Sequence, residues 1–425
     1  MHESLQRPTL AYLVSAYPAI SHTFILREVA QLRALGHRIV TASINPADRQ
    51  PASMDPQERQ EAARTYVVKR HGVAGALAAL AAWALAAPWR LLATLAMGWR
   101  LRPAGRPRWT GLAYAVEAAM VARWMSAQGA RHLHVHFGSA GASVGVLVRR
   151  LTGCHLSLTI HGPDEFDDVG GQHLALKMQE ADAVVCISQF ARSQLMRISD
   201  PAYWGKFRVC RLGVEPGQFR FSLREGGTVA RLLCVGRLTP AKGQVLLLRA
   251  LARLRDRGVN AHLTLVGDGP DRGRIEAEMA ALALGDRVSL TGALRQQEVR
   301  DQFDQADIFV LPSLAEGIPV VLMEAMSCGV PCVTTPVNGI PELVVDGVTG
   351  LLATPGDVDN LADRLQALID APELRRRIAL QARDRVRADF DLARNVAALG
   401  GIFDTFPRRA TARPHPMQPR CEAQP

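Results

Sequence analysis

From one end of the chain to the other, short runs of Val, Ile, Leu and Ala alternate with longer stretches whose apolar positions recur every three or four residues. The short runs read as buried strands and the longer ones as amphipathic helices. Strands are predicted at 10–14, 38–44, 132–137, 155–160, 183–188, 207–211, 230–236, 262–267, 287–291, 307–311, 331–335 and 349–353. Helices are predicted at 23–35, 112–127, 139–150, 173–180, 189–197, 243–257, 270–283, 296–305, 319–328 and 357–383. Such alternation belongs to α/β proteins, with mostly parallel sheets covered by helices on both faces. Twelve strands are many for one open sheet, and the rhythm pauses at 212–229, a stretch rich in Gly, polar and charged residues. Two Rossmann-like doubly wound domains facing across a cleft are therefore expected. The first spans 1–211, the linker 212–229 and the second 230–385, with a helix over 386–407 packing back toward the first domain and a disordered tail at 408–425.

Residues 72–87, GVAGALAALAAWALAA, are uncharged and mostly apolar, followed by Pro88, Trp89 and Arg90. A membrane-spanning helix needs about 20 such residues, so this segment and the stretch after it read as a buried or interfacial helix pair. The arginines at 90, 100, 102, 106 and 108, with Trp83, Trp89 and Trp99, would suit an anionic bilayer surface; packing against the core is the other reading. The net charge of +10 favours anionic partners or marks a solvated Arg-rich surface. Aromatic residues make up only 5% of the chain, which argues against a stacking platform for nucleic acid. Seven cysteines, an odd number with no CxxC pair, point to a reducing compartment. With no signal peptide visible, a cytoplasmic location is expected, with peripheral attachment to the inner face of the plasma membrane as its extension.

In open parallel sheets ligands bind beyond the carboxyl ends of the strands, and two stretches carry chemistry there. In RLLCVGRLTPAKG a strand ends at Gly236, Arg237 follows, and Lys242 and Gly243 open a helix. Gly236 allows close backbone approach, and the two cations beside a helix N-terminus form a diphosphate clamp. In AEGIPVVLMEAM, Glu316 lies on a loop and Glu324 in the second turn of a helix, with Pro319 in the first turn. Taken singly, Glu324 reads as a solvated helix residue and Glu316 as a partner of the helix dipole. Paired at a cleft, they suit acid–base work or the gripping of hydroxyls. His132, His134 and His136 share one strand face, but no acid lies near them in sequence, so a structural role is favoured over a metal. Asp357 in GDVDN is read as a helix cap, and Cys328 and Cys332 as buried thiols.

GRLTPAKG, LVGDGP, LPSLAEGIPVVLMEAMSCGVP and NGIPELVVDGVTGLL together resemble the retaining glycosyltransferases of family 4, which have the GT-B fold. The resemblance covers about 230–385 and extends to HGPDEF, VVCISQF and RLGVEPGQF. AYPAISHTFILREVAQLRALGH resembles the branch that builds colanic acid and other bacterial exopolysaccharides. Several expectations follow from the resemblance. A hexose would pass from a nucleotide diphosphate sugar, without metal or other cofactor, to a saccharide acceptor carried on a lipid. Arg237 and Lys242 would neutralise the diphosphate, and Glu324 would accept from ribose hydroxyls. Glu316, with the backbone of Gly317 and Ile318, would hold the donor sugar. His161 would approach that sugar and Asp164 would meet the acceptor or act as base. Ser21, His22 and Thr23 would stand on the acceptor side, in place of the family's glycine-rich loop. The alternatives are another GT-B enzyme, epimerase-like, or a non-catalytic scaffold that binds sugar nucleotides.

Overall fold

The computed structural model describes residues 7–107, 109–224 and 226–406. The N-terminal sheet has β1 (Leu10–Ala16), β2 (Ile39–Asn45), β3 (Tyr66–Val67), β4 (His132–His136), β5 (His155–Ile160), β6 (Ala183–Cys186) and β7 (Phe207–Val209). They lie in the order β3-β2-β1-β4-β5-β6-β7, every pair parallel. The C-terminal sheet has β8 (Ala230–Val235), β9 (Ala261–Val266), β10 (Val288–Gly292), β11 (Ile308–Leu311), β12 (Cys332–Thr334) and β13 (Leu351–Leu352). Its order is β10-β9-β8-β11-β12-β13, again all parallel. In each sheet the strand order reverses beside the first strand, which opens one crevice between β1 and β4 and another between β8 and β11. The strands are covered on both faces, so they read as near-continuous apolar runs, such as Ile308–Leu311, which is fully buried.

Several boundaries differ from the periodic pattern. The two-residue strand β3 is too short to leave a signal. The helix predicted over 357–383 is two helices, Val358–Asp370 and Pro372–Asp389, because Pro372 holds Ala371 out of helical geometry (φ −120°, ψ 85°). The helix predicted over 386–407 begins only at Leu392, where the Asp391 side chain accepts from Arg394 N at 2.9 Å and caps it. The tail expected at 408–425 lies outside the described residues.

The chain passes between the two domains twice, side by side. Val214 N donates to Phe390 O at 3.0 Å and Leu392 N donates to Val214 O at 2.9 Å. The final helix, Leu392–Asp404, then packs Val396, Leu399 and Phe403 against Tyr12, Ile25, Val29 and Leu32 of the N-terminal domain.

Residues 72–100 form helices Gly72–Ala86 and Pro88–Arg100, which pack on helix Trp109–Ala127. Of the two expected placements, buried or interfacial, the first helix takes a largely exposed one. Ala79 is its one fully buried residue and Leu80 and Trp83 pack partly buried against the core, while Leu77 and Leu85, and Trp89 and Leu92 on the second helix, are exposed. Alanine supplies too little side chain to make a wide core face, so these last four are left outside. Among the described residues no helix is long and apolar enough to cross a membrane.

Candidate functional site

The crevice of the C-terminal sheet is built by the loops after β8 and β11. Gly243 adopts a left-handed φ of 70°, and a Cβ there would stand 2.2 Å from Pro312 O, so only glycine lets the loops meet. Leu314 N donates to Ala241 O at 2.7 Å and joins them. This brings Lys242 Nζ to 2.5 Å from Glu316 Oε1, which also accepts from Ser313 Oγ at 2.8 Å. Glu316 is buried, and Arg237 is exposed beside it on the β8 loop, its carbonyl held by Gln244 Nε2 at 3.0 Å. Gly317 and buried Ile318 lead into helix Val320–Cys328, which carries Glu324. Pro319 is the cap of that helix rather than its first residue, one position outside the expectation.

The crevice of the N-terminal sheet is built by the loops after β1, β4 and β5. His161 follows β5 and is buried, ringed by Phe24 (4.9 Å), Phe137 (4.4 Å) and His136 (5.1 Å between ring centroids). Burial, then the rings of His136 and His22, hold its imidazolium well below the ordinary value. His22 stands at the same wall, 4.8 Å from the Phe137 ring, and its value is also lowered, chiefly by burial. Ser21 and Thr23 flank it at the start of helix Thr23–Ala34.

The acid that turns inward on the β5 loop is Glu165. It accepts from His161 N at 2.5 Å, from Gly162 N at 2.9 Å and from Gly138 N of the β4 loop. Asp164, its neighbour and the residue singled out in the sequence, is exposed. Lys177 is buried beneath them and donates to Gly138 O and Ser139 O at 2.7 and 2.8 Å. Nothing in HGPDEF distinguishes Glu165 from Asp164, because the distinction lies in which side chain faces the β4 loop.

The two crevices face and touch. A Cβ on Gly317 would stand 2.2 Å from His161 O, and one on Gly162 would stand 3.0 Å from Gly317 Cα. Arg27 of the N-terminal domain donates to Glu324 at 3.0 Å and to Gln296 Oε1 at 3.4 Å. Glu342 of the C-terminal domain accepts from Gln189 N and Phe190 N, at 3.0 and 2.9 Å, at the start of helix Gln189–Ile198. Arg27 and Glu342 carry no sequence signal of this pairing, since each meets its partner only through the arrangement of the domains.

The histidines of β4, for which a structural role is favoured, meet an acid that is distant in sequence. Glu28, His134 and His136 bring one ligand atom each within 4.8 Å of one another. Every ring nitrogen of the two histidines already has a partner. His134 meets Ser157 Oγ at 2.8 Å and Thr159 Oγ1 at 3.0 Å, while His136 meets His161 at 2.9 Å and Glu28 at 3.1 Å. These ligand atoms are engaged in hydrogen bonds of the fold itself.

Two Rossmann-like domains with a basic and acidic crevice between them define a GT-B glycosyltransferase. The chain belongs to the glycosyl transferases of group 1, a family that matches residues 217–385. It is similar to the amylovoran biosynthesis glycosyltransferase AmsK of Erwinia amylovora, 30% identical over 90% of this chain and 96% of that one. A putative colanic acid biosynthesis glycosyltransferase, WcaL of Salmonella typhimurium, is 28% identical over 93% of this chain and all of that one. Among solved structures, Anabaena HepE in complex with UDP and glucose has the same fold, with a TM-score of 0.72 at 19% identity over 94% of this chain and all of that one. The protein is a nucleotide-sugar-dependent glycosyltransferase.

Proposed function

We propose that the protein is a retaining hexosyltransferase of surface polysaccharide assembly that moves a hexose from a nucleotide diphosphate sugar to a lipid-linked saccharide. The observation that carries this reading is the Lys242–Glu316 pair on two locked loops, with Gly317, next to Glu316, lying against the His161 carbonyl across the cleft. A departing diphosphate gathers negative charge, and Arg237 and Lys242 stabilise it without having to reorganise. Glu316 and the backbone of Gly317 and Ile318 hold hydroxyls of the donor sugar, and Glu324 accepts from the ribose. His161 borders the transferred sugar, His22 and its neighbours Ser21 and Thr23 border the acceptor, and Asp164 lies at the acceptor's entrance. Glu316 is tied to Lys242 and Ser313, which suits a gripping role better than attack on carbon. Retention then follows from front-face attack within an ion pair. The charge on the diphosphate is met by side chains, so transfer proceeds without metal.

The acceptor's lipid is supported by the exposed Leu77, Leu85, Trp89 and Leu92 on two helices, the second of which ends in Arg100 with Arg102 after it, a surface suited to the anionic inner face of the plasma membrane. The relatives named for amylovoran and colanic acid biosynthesis support a polysaccharide product.

A thermal-shift panel with UDP, GDP, ADP and their sugars tests the reading, because ligands that bind only the native state raise the midpoint. A selective rise that survives EDTA names the donor base and supports metal-free binding. No rise with any nucleotide in a folded sample overturns it.

A further inference from the structure

Four buried residues form one hydrogen-bonded line that ends at His161. The Tyr12 hydroxyl donates to Glu28 Oε1 at 2.7 Å, and the same oxygen stands 3.1 Å from His136 Nε2. His136 Nδ1 then stands 2.9 Å from His161 Nε2. The residues come from β1, from helix Thr23–Ala34, from the end of β4 and from the loop after β5. Side chains from four separate elements would not converge in this order for packing alone.

The line has a direction. A carboxylate only accepts hydrogen bonds, so His136 presents its N–H at Nε2 to Glu28. With His136 in the neutral form, which has one N–H, its Nδ1 accepts, and the hydrogen it accepts is on Nε2 of His161. That leaves the lone pair of His161 on Nδ1. Nδ1 is enclosed and has no hydrogen-bond partner among the described residues. An orphaned buried N–H is rarer in proteins than an orphaned acceptor, so the unpartnered atom agrees with a lone pair there. His161 is itself held neutral by burial and by the facing rings of His136 and His22. The Gly317 loop of the opposite domain lies on the His161 backbone, so His161 stands at the boundary of the cleft.

We infer that Glu28 and His136 are positioning residues that fix the tautomer of His161, so that its Nδ1 accepts the hydrogen of a substrate hydroxyl. The inference rests on the reading above that His161 borders the transferred sugar. It adds what His161 can do there: accept from an uncharged hydroxyl, and not donate to a phosphate or carboxylate. No bond other than the hydrogen bond is made by this step.

The test uses the full-length protein labelled with 15N-histidine, in which protonated and unprotonated ring nitrogens are separated by NMR. His161→Ala assigns the signals. The wild type is expected to show His161 protonated at Nε2 alone. Glu28→Gln, which offers either an oxygen or an amide N–H to His136, is expected to give a mixture of tautomers. With it kcat should fall about tenfold, as the loss of a hydrogen bond made more strongly in the transition state does, while KM for the donor changes by less than about twofold. Should Glu28→Gln not fold, His136→Asn breaks the same line, and Tyr12→Phe, which keeps the carboxylate, is expected to hold the wild-type tautomer. His161 protonated at Nδ1 in the wild type overturns the inference. So does a line-breaking variant that changes neither tautomer nor kcat. The NMR result stands whether or not sugar transfer is observed, so failure of the transferase reading and failure of this inference are told apart.

Discussion

Arg27 Nη1 donates to Glu324 Oε1 at 3.0 Å, so the carboxylate proposed to receive the ribose hydroxyls is held by an arginine from the opposite domain. Both side chains are about 15% exposed, at 14 and 15%. The pair ties the domains together, and a nucleotide has to displace it. Arg27→Ala is therefore expected to lower the stability of the ligand-free protein by about 1–3 kcal/mol, between the values for exposed and buried pairs. The same change should tighten nucleotide binding by about tenfold, since the competing arginine is gone. Calorimetry of folding and of nucleotide binding reads both. Weaker binding in Arg27→Ala would mean that Arg27 holds the ligand itself.

Lys242 neutralises a buried carboxylate as well as facing the crevice. Its removal leaves Glu316 with Ser313 alone. Lys242→Ala is expected to destabilise the protein by about 3 kcal/mol, as breaking a buried pair does, and Lys242→Ala with Glu316→Ala should recover part of that loss. The transfer rate should fall about 10²-fold or more when this fixed donor is missing. A double-mutant cycle by denaturant unfolding checks the first, and turnover measurements check the second. Unchanged turnover in Lys242→Ala removes it from the site.

Much of this architecture was legible in the sequence because parallel strands covered on both faces leave continuous apolar runs. The loops after β8 and β11 were legible too, since Gly236, Arg237, Lys242, Glu316 and Glu324 follow strand ends. What the letters did not show lies across elements. Arg27 sits on an ordinary amphipathic helix, and only the closed arrangement of two domains brings it to Glu324. Glu28 looks like any surface acid, yet the fold buries it against His136. The apolar run at 72–87 marked a helix pair and left its placement open between core and interface, because an alanine-rich helix has no distinct apolar face from which to read one.

Gly317 is one of the points where the domains touch. A methyl group there would meet His161 O at 2.2 Å, and that carbonyl cannot retreat, since the neighbouring His161 and Gly162 amides are pinned by Glu165. Gly317→Ala is expected to hold the domains apart, seen as a larger radius of gyration in solution scattering. Turnover should fall about 10²-fold, the cost of misplacing reacting groups by about an ångström. An unchanged radius with full activity would show that the two loops need not meet.

Burial raises the Glu165 carboxyl to about 7, against the lowering effect of the Gly138, Gly162 and His161 amides. The folded value lies above the unfolded one, so the stability it contributes is complete below its ordinary value of 4.5 and is lost as pH rises through about 7. Glu165→Gln removes this titration. The wild type should therefore lose stability relative to the variant between pH 4.5 and pH 7, by about 3 kcal/mol at most. Glu165 also raises buried Lys177, which stands at about 7, so the difference reports the two groups together. Urea midpoints at pH 5 and pH 8 give the sign, and a difference that does not change between them would show that Glu165 is not titrating.

Trp89 and Leu92 are each 67% exposed on helix Pro88–Arg100, and neither belongs to a core cluster. Arg100 follows at the end of that helix, and Arg102 lies over the Trp99 ring at 5.6 Å. Exposed apolar side chains on a helix that ends in cations match an anionic bilayer, where the first enter the interface and the second meet the headgroups. The full-length protein is expected to sediment with vesicles containing phosphatidylglycerol and to do so less at high salt, which screens the second contribution but not the first. Burying a large apolar side chain contributes about 1.5–3 kcal/mol. Trp89→Ser with Leu92→Ser should therefore weaken vesicle binding about a hundredfold while leaving the melting temperature nearly unchanged, because no core contact is lost. Equal sedimentation of the variant would place membrane contact elsewhere on the molecule. No sedimentation of the wild type would leave this face to a protein partner, and the lipid-linked acceptor would lose its structural support.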